Sequence, residues 1–93
     1  MTDEPGNAPR RVRARMKSQP TPAGDRLRAT FAKNFKAARL AAGHSQRRVG
    51  ELTGTSQAII SAIEQGSWNW TSETLAKLSE AVGVPPQILL SPM

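Results

Sequence analysis

The chain has 93 residues, with 13 Lys and Arg against 7 Asp and Glu, a net charge of +6 and no cysteine. A chain this short buries only about 60% of its unfolded surface, so one domain is expected, and without thiols there is no disulfide framework, thiolate metal site or cysteine nucleophile. No run approaches the roughly 18 consecutive apolar residues of a membrane span, and the N-terminus passes from polar to basic without an apolar signal core, which predicts a cytoplasmic protein with no membrane association.

The charge is unevenly placed. Residues 1–48 hold twelve Lys and Arg against Asp3, Glu4 and Asp25, a net +9, while the remainder holds Lys77 against four glutamates, a net −3. Such a split suits a protein that presses one face on a polyanion, nucleic acid first among candidates, although a solubilising basic tail would give the same sum.

Residues 1–25 contain Pro5, Pro9, Pro20, Pro22, Gly6 and Gly24, with Val12 and Met16 as their only apolar bulk. They read as a disordered basic N-terminal tail. Arg10, Arg11, Arg13, Arg15 and Lys17 in it could follow a DNA backbone or enter a minor groove, or could simply be solvated. A folded domain is expected over 26–93. From Arg26 onward, Leu27, Phe31, Phe35 and Ala38 recur at helical spacing and predict one inward face, with the helix ending at Gly43. Ser45 reads as an N-cap for a second helix carrying Val49 and Leu52, which stops at Gly54. Ser56 caps a third helix, 56–65, with Ile60 and Ile63 inward and Gly66 closing it. The loop Ser67-Trp68-Asn69-Trp70 follows. Thr71 or Ser72 caps a fourth helix with Leu75, Leu78 and Val82 inward, ending at Gly83, and Pro85-Pro86 opens a last turn carrying Ile88, Leu89 and Leu90. The expected fold is all-α, five short helices without strands.

Two short helices joined across Gly54-Thr55-Ser56 form the helix-turn-helix, 46–65, by which many regulators present a second helix to the major groove. Around it, Arg39 and Gly43 precede Ser45-Gln46, and Gly54 precedes Ser56-Gln57. Ile60-Ser61, Ile63-Glu64, Gly66, Leu75, Leu78 and Gly83-Val84 follow. In this register Phe31 to Leu90 resembles the Cro/phage-repressor family of transcriptional regulators, also called the xenobiotic response element family, which implies a lambda-repressor-like fold. The resemblance makes Gln46 a donor to a backbone phosphate and Gln57 a base reader, since a carboxamide can bond adenine N6 and N7 together. Ala58, Ser61 and Ala62 share the outward side of the same helix, where serine and alanine methyls can meet base edges. That helix carries no Lys or Arg, so phosphate contacts are expected from Arg47, Arg48, Ser56, Asn69, Trp68, the first-helix lysines and the tail. Arg39 and Glu64, 25 residues apart as in the family's pair, are expected to form a structural salt bridge.

The sequence departs from the family at four positions. Gly50 replaces a usual alanine, His44 a leucine, Trp70 a proline, and Ile59 a small polar residue. Of Trp68 and Trp70, one indole is expected to cover the core edge, without the pattern saying which. The implied function is that of a sequence-specific DNA-binding regulator, a repressor that acts as a homodimer on an inverted repeat of double-stranded DNA. Ile88-Leu89-Leu90 serves there as a dimer contact or as core closure. Ile59 motivates an alternative, an antitoxin or anti-activator that holds a protein partner through the same fold. An enzyme is not expected: there is no phosphate-binding glycine loop, no nucleophile with a base and no metal cluster, and nothing calls for a metal or cofactor.

Overall fold

A computed structural model of the chain describes residues 21–92. The expected tail contacts Arg10, Arg11, Arg13, Arg15 and Lys17 lie outside the described residues. Within them the chain forms five helices, α1 (Pro22–Ala41), α2 (Gln46–Thr53), α3 (Gln57–Glu64), α4 (Ser72–Val82) and α5 (Pro86–Leu89). None is long and apolar enough to cross a membrane.

Helix α1 begins four residues before the expected start at Arg26. Thr21 is its N-cap, its hydroxyl accepting from Gly24 N at 2.9 Å, and Pro22 occupies the first helical position. Proline fits there because its φ is already helical and its missing N–H would have had no partner. Residues that read as tail punctuation are thus a helix start. The other caps follow the sequence: Ser45 accepts from Arg48 N, Ser56 from Ile59 N and Thr71 from Thr74 N. Gly54, at φ 70°, ends α2 in a left-handed conformation that a side chain would strain, and so permits the tight turn into α3.

The core is formed by Phe31 and Phe35 of α1, Val49 of α2, Ile60 and Ile63 of α3, Leu78 and Val82 of α4 and Leu89 of α5. Trp70 is the indole that closes it, its ring 5.0 Å from that of Phe31. Two residues expected inward are not. Leu27 is 43% and Leu52 45% exposed. Leu27 lies one turn before Phe31, where it lines an open surface cleft with Leu90 and Pro92. Leu52 lines an open surface cleft with Lys77 and Ala81 of α4. The last turn divides its labour: Leu89 is fully buried while Ile88 is 55% exposed. Asn34 ties that turn to α1, its amide donating to Leu89 O at 3.0 Å and to Ser91 O at 2.8 Å, the first a carbonyl that the end of α5 leaves open and the second just beyond it.

Candidate nucleic-acid interface

The relation of α3 to α2 is set by Gly50. A Cβ built on it would lie 2.6 Å from Thr55 O and 3.4 Å from Gln57 N, so the backbone entering α3 rests directly on α2. Thr55 N also donates to Gly50 O at 2.8 Å. The departure from alanine at this position is therefore a requirement of the close approach, beyond its intrinsic cost to the helix.

On α3, Ile60 and Ile63 face inward and leave Gln57 and Ala58 exposed, with Ser61 and Ala62 half-exposed. All four expected readers thus reach solvent from one helix. The Gln57 carboxamide makes no hydrogen bond among the described residues, and its donors and acceptor are free. Ser61 Oγ accepts from Gln65 Nε2 at 3.3 Å and keeps its own proton. Ser56 Oγ accepts from Ile59 N at 3.2 Å as the cap, which leaves its hydroxyl proton available to a phosphate. Ile59 is half-buried and packs against the core, which gives its apolar character a scaffold explanation.

Exposed cations stand on α1 and α2. Arg47 and Arg48 have side chains 79% and 55% exposed, and both lean toward Glu51, at 3.6 Å and 3.4 Å. Exposed pairs of this kind are worth little, so either guanidinium can leave Glu51 for a phosphate. Lys33 and Lys36 are exposed on α1. Beyond α3, Ser67 donates to Ala62 O through both its N and its Oγ, each at 3.1 Å, and this clips the loop to the helix end. Asn69 and Trp68 are exposed in that loop, Trp68 at 41%.

Behind the face, Arg39 and Glu64 meet as the 25-residue spacing suggested. Arg39 Nε donates to Glu64 Oε2 at 2.5 Å and Nη2 to Oε1 at 3.0 Å, with side chains 8% and 4% exposed. Arg39 Nη1 donates to His44 O at 2.8 Å, so the guanidinium also holds the α1–α2 connection. Gln46, expected only as a phosphate donor, is half-buried and gives Nε2 to Glu64 Oε1 at 3.1 Å. The Gln46 bond has no sequence signal, because it depends on how α2 and α3 are placed in space, whereas the Ser67 backbone bond is the local closure that Gly66, at φ 76°, announces.

A family model described as helix-turn-helix (HTH_3) matches residues 35–89. A curated relative, the hypothetical transcription factor of Neisseria meningitidis serogroup B, is 33% identical over 66 residues, which cover 71% of this chain and 62% of that protein's length. The crystal structure of the Neisseria hypothetical transcription factor superposes with a TM-score of 0.69 at 31% identity, covering 80% of this chain and 85% of that one. The restriction-modification controller protein C.AhdI of Aeromonas hydrophila superposes with a TM-score of 0.64 at 26% identity, covering 67% of this chain and 94% of that one.

Proposed function

The chain belongs to the HTH_3 helix-turn-helix family, and from that membership we propose that it is a sequence-specific DNA-binding transcriptional regulator that reads the major groove with α3. The observation that carries this reading is the outer side of α3: Gln57 and Ala58 are exposed in its first turn and Ser61 and Ala62 half-exposed one turn on, while Ile60 and Ile63 of the same helix are core. Relatives described as a transcription factor and as a restriction-modification controller support the same class of activity.

In this mechanism the cationic surface gathers the protein onto the duplex. Arg47, Arg48, Lys33, Lys36 and the basic residues of the N-terminal segment supply phosphate contacts, each releasing counterions. Gln46, Ser56, Asn69 and Trp68 fix the register by donating to phosphates on either side of the reading helix. Gln57 then pairs with a base edge and Ser61 with its neighbour, while the Ala58 and Ala62 methyls meet thymine methyls. The protein acts in the cytoplasm and represses by occupying duplex that polymerase needs.

An eight-residue α3 spans about 12 Å and reads only a few base pairs. Specificity then calls for two copies on an inverted repeat. Exposed Ile88, beside the apolar groove of Ala37, Ala38 and Val84, is the contact we assign to the homodimer. The same patch supplies both knob and groove, as a two-fold interface requires.

The test is fluorescence anisotropy of the full chain on its own upstream region against a scrambled duplex, across a salt series. Preference for the upstream duplex supports the reading. Equal, steeply salt-dependent binding to both would refute sequence-specific control at that region.

A further inference from the structure

We propose that Glu64 is a positioning residue for Gln46, so that the buried ion pair behind α3 also sets the orientation of the phosphate donor at the start of α2. This rests on the DNA-binding reading above. Neutralising Arg39 takes two bonds, Nε to Oε2 and Nη2 to Oε1, yet Glu64 Oε1 accepts a third, from Gln46 Nε2 at 3.1 Å. A carboxylate can only accept, which decides the carboxamide's orientation: its nitrogen must face Glu64. One N–H of that nitrogen is then used, and the second is unclaimed among the described residues.

Three consequences follow from the charges and burial. Glu64 is 4% exposed and is neutralised by Arg39, so its carboxylate does not repel an approaching phosphate. Arg39 commits Nε, Nη1 and Nη2 inside the protein and is 8% exposed, so it is not itself the phosphate ligand. Glu64 closes α3 and Gln46 opens α2, so one bond joins the end of the reading helix to the anchor that sets its register. An exposed glutamine would have to be ordered when DNA arrives. Here that ordering is already present, which is worth about twofold to tenfold in affinity.

Removing Glu64 alone would leave Arg39 buried without its partner, so the informative variant replaces both, as Arg39→Met with Glu64→Leu. The first readout needs no DNA: the order parameter of the Gln46 side-chain amide, from 15N relaxation of the full chain. It is expected at about 0.8 in the unaltered protein and below about 0.6 in the paired variant. A Gln46 amide already mobile in the unaltered protein, or equally ordered in the paired variant, would overturn the proposal. The second readout is affinity for the preferred duplex. Gln46→Ala is expected to weaken binding severalfold in the unaltered protein and by less than twofold in the paired background. An equal loss in both backgrounds would also overturn the positioning role. An ordered Gln46 amide in a protein that prefers no duplex would uphold the positioning and overturn the functional reading instead.

Discussion

Gly50→Ala sets two physical effects of opposite sign against each other. Alanine in a helix interior is favoured over glycine by about 1 kcal/mol, and the family resemblance makes alanine usual at this position, so sequence reasoning alone predicts stabilisation. The structure predicts the reverse. The added Cβ would lie 2.6 Å from Thr55 O and 3.4 Å from Gln57 N, both backbone atoms that no rotamer change can move aside. Ordinary contact requires the strand of chain entering α3 to shift by about 1 Å, and overpacking of that kind costs about 1 to 3 kcal/mol. After the propensity gain the net effect is a destabilisation of about 1 kcal/mol. That lowers the melting temperature by about 4 to 8 °C in a domain of this size, measurable by circular dichroism. Affinity for the preferred duplex should fall more than stability does, because the displaced element carries Ser56 and Gln57. A melting temperature that rises in Gly50→Ala would refute the close-approach argument.

Four further outcomes follow. Gln57→Ala should cost about 1 to 3 kcal/mol of discrimination between preferred and scrambled duplex by anisotropy, with an unchanged salt slope and melting temperature. Arg47→Ala should weaken binding to both duplexes alike and reduce the slope of log affinity against log salt by about 1. Arg39→Ala should destabilise the fold by about 3 to 5 kcal/mol in urea unfolding, since Glu64, 4% exposed, keeps a charge without its partner. If the proposed homodimer forms through this patch, Ile88→Glu should convert the sedimenting species from dimer to monomer while leaving the melt nearly unchanged at low protein concentration, because Leu89 and not Ile88 fills the core.

What the sequence disclosed tracks the range of each interaction. Caps are local, so Ser45, Ser56, Gly54 and Gly83 could be placed directly, and the three-residue spacing of Ile60 and Ile63 gave the buried side of α3 and hence its free one. Periodicity, however, states only which residues share a face. It does not say whether another helix lies opposite, and so Leu27 and Leu52 were expected inward and are half out in solvent. By composition Pro22 and Gly24 are chain breakers, whereas by position a threonine followed by proline begins a helix. The Asn34 bond to Leu89 O joins residues 55 apart, and the Gln46 bond to Glu64 residues 18 apart. No pattern in one sequence announces such pairs. The Trp-Asn-Trp loop has no period to decide between its indoles, and only the packing of Trp70 on Phe31 does so.

The absence of Lys and Arg from α3 has a consequence for how affinity and specificity divide. A reading helix with its own cations would gain affinity on any sequence, because each charge finds a phosphate wherever the helix lands. Here the charges stand on α1, on α2 and in the N-terminal segment, and α3 presents only neutral groups. Its contribution on a wrong site is then close to nothing or unfavourable, since Gln57 would surrender its water without gaining a matched base edge. Under the proposed function discrimination would fall on a few hydrogen bonds and methyl contacts, and their geometry must be held tightly to be worth anything. That demand accounts for the features that surround α3: the backbone contact at Gly50, the Ser67 clip and the Arg39–Glu64 pair that fastens its last residue to α1.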